Sequence, residues 1–559
     1  MPSLHYPEIY ESLLASRGLT LENVDEFLNP DYKKLHDPLL LPDMEKARDR
    51  VIKAMKNNEH IVVFSDYDAD GIPGAVVMAD FFNRAKYSHA SFYIPHRHDE
   101  GFGLNCEAID VCVERGATLL ITVDCGIADL EEVKYANSKG IEVIVTDHHE
   151  PKSVLPEAYA VVDPKRKDLP AGKAGSNYPF KELCGAAMAF KFVQAILRKE
   201  RFGIVEGMEK WSLDMVGIAT LSDMVPLIDE NRIFAKFGMD VLRKSPRPGL
   251  AALFRKLNIN QKYLTEEDVT FMITPRINAA SRMGVPMDAF LLLSTTDILE
   301  AEKLAIHLEK INNERKGIVA SLVKEAKGEL AKREEINKVI VIGNPEWRPA
   351  LLGLVANSLV EEYSRPVFVW GRDGDNILKG SCRSFNGVDL CLLMDGASHS
   401  FIAYGGHTGA GGFELDLEHI GTLEASLSKV LENTIVEEKK NEESEEIIKA
   451  ELSHINPKMW DMVSGFAPFG LANPKPVFFI EEAEIYSAKN FGKAGNHLEV
   501  IFRPKEGRNI KAIQFFTTIE DTPVSLEPGN KVSLKAHLEK SYFMNRPELR
   551  LRIIDIIER

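Results

Sequence analysis

No C-x-x-C pair occurs anywhere in this sequence. The six cysteines, Cys106, Cys112, Cys125, Cys184, Cys382 and Cys391, are scattered, which excludes a zinc ribbon and a disulfide framework and predicts small buried hydrophobes. Long apolar runs are missing too. Nowhere is there an uninterrupted stretch able to span a bilayer, and the opening MPSLHYPEIYESLL has no basic region followed by an apolar one, so a cytoplasmic protein without membrane contact is expected. Basic charge is in short supply, with 68 Lys and Arg against 84 Asp and Glu and a net charge of -16. Generic nucleic-acid binding needs clustered cations to displace counterions, so only a local basic surface could serve it here. At 559 residues the chain exceeds one hydrophobic core, and three or four domains are expected.

What is present is alternation. Between about residues 40 and 230, short β-branched runs (HIVVFS, ATLLITVD, IEVIVTD, AYAVVDP) alternate with helix-like segments such as GAVVMADFFNRA and LEEVKYANSKG. That pattern predicts βαβ units around a parallel sheet, in which ligands collect at the carboxyl ends of the strands. Those ends carry Asp66, Asp68 and Asp70 in SDYDADG, Asp124 in TVDCG, Asp147, His148 and His149 in TDHHEP, and Asp163 in VVDPKR. The helical LDMVGIATLSDMVPL adds Asp223 among apolar residues. Carboxylates and imidazoles converging on one rim repel unless cations sit among them. A mixed carboxylate and histidine set suits manganese or magnesium better than structural zinc. Asp66 reads either as the cap of the next helix or as a support behind the ligands, and Asp163, before proline, reads as a turn former.

The ordered set DYDADG, VDCG, DHH and LSDMVPL resembles the motifs of the DHH phosphoesterase superfamily. YIPHRHDEGFGLN, YPFKELCGAAMAFK, TPRINAASRM, KGSCRSFNGVDL, YGGHTGAGG and FAPFGLANPKPVF narrow the resemblance to the RecJ single-strand-specific exonucleases. It runs from about Ser16 to the C-terminus. The resemblance implies an α/β architecture: an N-terminal helical segment (1–45), a parallel-sheet DHH catalytic domain (46–300), a connecting helix (301–337), an α/β DHHA1 domain (338–433), a linker (434–475) and an OB-like β-barrel (476–559). It implies that Asp68, Asp70, Asp124, His148 and Asp223 are metal ligands for two Mn2+ or Mg2+ ions, with Asp124 and Asp223 bridging. Asp147 would orient a histidine, and His149 would be a ligand or would stabilise charge on the phosphate.

The same resemblance assigns Arg97, Arg276, Ser381, Arg383 and His407, with Gly406 beside it, to a terminal 5′-phosphate site. Glycines admit backbone N–H groups close to an anion, and a guanidinium grips it bidentately. Phe102, between two glycines, is a platform for an unpaired base or a loop anchor. In the last 85 or so residues, five strand candidates separated by Gly, Asn and Pro fit an OB barrel. There Lys489, Lys493, Arg503, Lys505, Arg508 and Lys511 accompany Phe491 and Phe515, a pattern suited to single strands. The activity implied is 5′-to-3′ hydrolysis of single-stranded DNA to mononucleotides, in recombination and repair. A monomer is expected, working with a helicase and a single-strand-binding protein. Two alternatives stand beside it: a DHH-family phosphodiesterase on short RNA or cyclic dinucleotides, and a non-catalytic replication scaffold. The Gly, Ala and Pro-rich stretch near Ala171 has no functional account.

Overall fold

The computed structural model describes residues 6–97, 100–169, 178–372, 377–433, 447–542 and 547–557. Three sheets organise them. The first is wholly parallel: β1 (Ile61–Ser65), β2 (Ala90–Tyr93), β3 (Leu119–Val123), β4 (Glu142–Thr146) and β5 (Ala160–Val162), in the order β2-β1-β3-β4-β5. Its central strands β1 and β3 are buried at every position and carry only Ser65 and Thr122 as polar residues, because both faces are covered. Ile61, Val63, Leu119, Ile121 and Val123 pack on one side with the helices Gly71–Arg84 and Gly185–Lys199. Val62, Phe64, Leu120, Val143 and Val145 pack on the other with Cys106–Glu114 and Leu130–Ser138. The chain leaves β1 toward β2 on one side and resumes with β3 on the other, so the winding reverses between β1 and β3. A crevice opens at the strand ends at such a reversal. Strand β2 was not among the sequence expectations; its four residues, ASFY, are half-buried at a sheet edge and give no apolar run.

A helix of 33 residues, Ile298–Leu330, some 50 Å at 1.5 Å per residue, leads to the second sheet. This contains β6 (Ile340–Gly343), β7 (Val367–Arg372), β8 (Leu378–Arg383), β9 (Ala403–His407) and β10 (Ala410–Leu415), ordered β6-β7-β8-β10-β9. The helix Pro349–Tyr363 crosses from β6 to β7 and packs, through Val355 and Leu359, in one cluster with Ala326 and Leu330 of the long helix.

The third sheet comprises β11 (Ile447–Ala450), β12 (Val477–Phe491), β13 (His497–Arg503), β14 (Ile510–Gln514), β15 (Lys531–Ser541) and β16 (Glu548–Ile557). Pairing of β12 with β15 closes five of these strands into a barrel. Strand β12 serves two neighbours because its register shifts between Ile480 and Ala483 and again between Ile485 and Ser487; such bulges bend a strand around a barrel corner.

Three expectations are corrected. Residues 447–475, expected as linker, carry β11 and the helix Pro457–Gly465, both packed on the barrel core; the charge run 434–446 and the stretch 170–177 around Ala171 lie outside the described residues. The N-terminal helix Pro7–Ala15 is not a separate unit: its stripe Ile9, Leu13 and Leu14 buries beside Met459, Phe466 and Phe478. Cys106, first in its helix, is exposed and Cys391 half-buried, so the cysteines are not uniformly core residues. Among the described residues no helix is long and apolar enough to cross a membrane.

Candidate metal centre and anion pocket

The carboxylates gather at the crevice between β1 and β3. After β1 the chain turns into the helix Gly71–Arg84, and Asp68 Oδ1 accepts from the N–H groups of Asp70 (2.7 Å) and Gly71 (3.1 Å). Asp70 points into the start of the helix Gly185–Lys199, accepting from Gly185 N (2.6 Å) and Ala186 N (2.7 Å). A helix N-terminus offers just such unpaired donors. Gly185 is required there, since a Cβ would lie 2.5 Å from Asp124 Cβ. Asp124 follows β3 in the left-handed region, φ 64°, an uncommon conformation for a side-chain-bearing residue that turns its carboxylate into the crevice. Asp223 caps the C-terminal end of Leu213–Ser222.

His148, after β4, joins these groups. Its Nε2 lies 3.0 Å from Asp124 Oδ1, 3.6 Å from Asp70 Oδ2 and 4.0 Å from Asp223 Oδ2. Three overlapping sets of potential ligand atoms result: Asp66, Asp68 and Asp124; Asp70, His148 and Asp223; and Asp124, Asp147, His148 and His149. Asp147 is saturated from within the protein. Its Oδ1 accepts from His148 N (2.7 Å), His149 N (3.2 Å) and His149 Nδ1 (2.7 Å), and its Oδ2 from Ile127 N (3.0 Å). It therefore orients the His149 ring and pins the backbone at His148.

The electrostatics call for cations. Burial, then repulsion from neighbouring carboxylates, pushes Asp70 up to about 7 and Asp223 up to about 8, and raises Asp66 and Asp124 well above the carboxylate range. Burial, then the charge of His149, pushes His148 down to about 3, so its imidazole is a neutral donor. For His149, burial opposes the cation, but the bond to Asp147 outweighs it and lifts the ring to about 9. Asp66 Oδ1 and Asp124 Oδ1 are buried without a hydrogen-bond partner, the 3.0 Å approach of His148 Nε2 to the latter not being a hydrogen bond, an arrangement costly unless something positive completes it. Carboxylate oxygens with one neutral imidazole fit Mn2+ or Mg2+. Asp163 is buried, accepts from Lys165 N (2.6 Å) as a turn former does, and lies outside the three sets.

Opposite this cradle stand arginines. The Arg97 guanidinium lies over the Tyr67 ring, 4.9 Å from its centroid. Ser381 and Arg383 end β8 beside the helix Pro349–Tyr363: a Cβ on Gly353 would meet Arg383 Nη2 at 2.7 Å and Ser381 Oγ at 3.5 Å. Arg276 is engaged elsewhere, its Nε bonded to Glu309 of the long helix at 2.8 Å. The same helix as Arg276 brings in a residue not singled out from sequence, Arg282. It is half-buried, donates to Ala350 O (2.7 Å), and is depressed to about 9 by desolvation, then by the charges of Arg97, Arg315 and Arg383, with Asp68 opposing. Its signal was present in TPRINAASRM, where a second arginine six residues after the first reaches further along the helix. Arg383 is likewise lowered by burial, with Arg97 contributing. His407 is exposed and shares a rung with Arg383, both pairing with Ala410. Gly406 has φ 150°, and a Cβ there would strike Ala410 O at 2.3 Å, so it serves the β9 to β10 turn.

Phe102 is 55% exposed, its ring edge-on to His149 with centroids 5.7 Å apart. On the barrel, several expected cations are paired: Lys489 with Glu499 (3.0 Å), Lys511 with Glu548 (2.8 Å) and Arg503 with Glu484 (3.4 Å). The aromatics cluster instead. Phe491, His497 and Phe515 meet at centroid distances of 5.3 to 6.5 Å, and Phe516, 83% exposed, adjoins His497 at 5.1 Å.

Comparison with known proteins agrees with this layout. Residues 60–220 match the DHH family N-terminal domain, 336–433 the DHHA1 domain and 448–555 the RecJ OB domain. The chain is 33% identical over 555 residues to the single-stranded-DNA-specific exonuclease RecJ of Bacillus subtilis, covering 99% of this chain and 68% of the relative. It is 33% identical over 427 residues to the Escherichia coli protein of that name, covering 73% and 72%. Among solved structures, RecJ of Thermus thermophilus in complex with Mn2+ superposes with a TM-score of 0.79 at 25% identity, covering 99% of this chain and 76% of that one. An exonuclease RecJ bound to manganese superposes with a TM-score of 0.60 at 30% identity, covering 72% and 97%.

Proposed function

This chain belongs to the RecJ family of single-stranded-DNA-specific exonucleases, and from that membership we propose that it degrades single-stranded DNA from the 5′ end to mononucleotides, as a monomer in recombination and repair. The observation that carries the proposal is the pairing of two sites of opposite charge, a carboxylate cradle and an arginine pocket, across one crevice.

Asp68, Asp70, Asp124, His148 and Asp223 would hold two divalent cations, with Asp66 behind them. Bound there, such ions lower the pKa of a water and neutralise charge developing on the phosphate. Asp147 fixes the ring of His149 through Nδ1, which leaves its other nitrogen to donate to a non-bridging phosphate oxygen. Arg97, Arg282 and Arg383, with Ser381, would bind the terminal 5′-phosphate; a dianion at the chain end needs this density of guanidinium groups, whereas internal phosphates do not. That difference supports binding of a phosphorylated chain end, and the choice of the 5′ end rests on the family resemblance. Phe102 beside His149 offers a face to the base next to the scissile bond. The exposed aromatics of the barrel would hold the strand further along, and a helicase and a single-strand-binding protein would supply it.

The test uses a single-stranded oligonucleotide labelled separately at each end, with Mn2+. Release of the 5′ label as a mononucleotide, ahead of any 3′ label and absent on blunt duplex, is expected. Cleavage confined to di- or cyclic dinucleotides would overturn the proposal.

A further inference from the structure

Phe102 sits on a hinge that should swing. Gly101 and Gly103 on either side have φ 80° and 83°, and glycines in that region leave the backbone free. The loop is nevertheless tied at both ends. The Glu100 carboxylate accepts from Tyr93 Oη (2.7 Å), His96 N (2.6 Å) and Asn105 Nδ2 (3.1 Å). On the far side Asp129 Oδ2 accepts from Leu104 N at 2.7 Å. Gly103 lies flat against the same carboxylate, and a Cβ there would come within 2.7 Å of Oδ2.

Asp129 closes the turn that begins at Asp124. Its own N–H donates to Gly126 O (3.2 Å), and within that turn Ile127 N donates to Asp147 Oδ2 (3.0 Å). One turn is thus bonded to the metal cradle through Asp124 and Asp147, and to the aromatic loop through Asp129. Resting on the exonuclease function proposed above, we infer that Asp129 is a positioning residue, which holds the Phe102 ring in register with the cradle so that a base stacks where the scissile phosphate meets His149. The bond to Leu104 N–H asks only for an oxygen acceptor, so an amide in place of the carboxylate serves equally well.

The experiment has two arms, both on the full chain. In the first, steady-state cleavage of a 5′-phosphorylated single strand with Mn2+ is compared for wild type, D129A, D129N, G103A, F102A and the double variant D129A/F102A. D129A and G103A are expected to raise KM about tenfold, the scale of one stacked base, with kcat within about twofold. D129N should restore the wild-type KM, and the double variant should be no worse than F102A, because Asp129 acts through the ring. Independent, multiplying losses in the double variant, or D129N as weak as D129A, would overturn the inference. The second arm needs no cleavage: acrylamide quenching of F102W after subtraction of the signal of the four native tryptophans, Trp211, Trp347, Trp370 and Trp460, measured in the parent protein, with and without D129A, in unliganded protein. Quenching should rise when the anchor is lost, and unchanged quenching would overturn the inference. If the wild type cleaves no single strand, the exonuclease proposal fails while the quenching arm still reports on the anchor.

Discussion

At the carboxyl ends of β1, β3 and β4 carboxylates crowd carboxylates, while across the crevice, around the helix Thr274–Arg282 and β8, guanidinium groups crowd guanidinium groups. Asp70, Asp124 and Asp223 of the cradle are pushed up and Arg282 and Arg383 of the pocket pushed down, each by burial first and with its own kind adding to the shift. In both, the side chains are oriented by neutral backbone groups. Asp68 and Asp70 accept from N–H groups, whereas Arg282 and Arg383 donate to the carbonyls of Ala350 and Cys382. Such bonds fix the direction in which each charged group points. Arg276, by contrast, is neutralised by Glu309 and joins two helices. The difference teaches how to tell a binding charge from a structural one in this molecule: the first is oriented by backbone groups at the crevice, the second ties one helix to another through an ion pair. Crowding like charges in a buried place costs stability, and each site regains it from a ligand of opposite sign.

The comparison breaks most sharply at the cradle. D124A should lower kcat/KM on single-stranded DNA at least about 10³-fold, some 4 kcal/mol of transition-state stabilisation, with bound manganese measured on the purified protein falling in parallel. At the pocket the effect should be smaller and end-specific. R282A is expected to cost about 10- to 100-fold on a 5′-phosphorylated strand, the worth of a charge-assisted hydrogen bond, and little on a 5′-hydroxyl strand. Substituting the paired arginine, R276A, should cause equal losses on both ends, so a matching end-preference in R276A would dissolve the distinction. Further out, F516A on the barrel should weaken binding of a long strand about tenfold by losing one stacking face, and leave a four-nucleotide substrate unaffected in a gel or anisotropy assay.

The smallest effect sharpens the electrostatic half of the comparison. In the metal-free protein Asp70 and Asp223 titrate at about 7 and about 8, above their unfolded values near 4. Between those limits the folded chain binds more protons than the unfolded one, so this contribution to stability falls as pH rises through the window. Manganese relieves the repulsion and competes with those protons. The gain in Tm between chelator and Mn2+ should therefore be a few degrees larger at pH 8.5 than at pH 6 by scanning calorimetry. A gap that narrows with pH would contradict the raised values.

Much of the first domain was legible because its code is local. Runs such as VVFS and LLITV, with almost no polar position, could only be strands buried on both faces, and Asp66, Asp124 and Asp147 stand where such strands end. Strand β2 was illegible because half-buried ASFY has neither run nor alternation. Arg282 was passed over because the residue-by-residue resemblance led to Arg276 in the same motif, and nothing in TPRINAASRM says which arginine meets a carboxylate on a helix elsewhere. The basic tail looked like a bare positive surface because its partners Glu484, Glu499 and Glu548 approach only across strands of the closed barrel.

By itself the sequence determined the parallel sheet, the ligand types at its strand ends, the order of the domains and the chemistry that DYDADG, VDCG and DHH imply, since each depends on residues near in the chain or on side-chain identity. The tertiary structure decided which charges face each other, which are cancelled, and that the N-terminal helix packs on the C-terminal barrel, with Arg17 bonded to Asn473 at 2.7 Å. It also decided that one turn ties the cradle to the Phe102 loop through Asp129. The physical reason is range: strand and helix patterns are set by neighbours a few residues away, but burial and the compensation of charge are set by whatever the fold brings close, here from hundreds of residues along the chain.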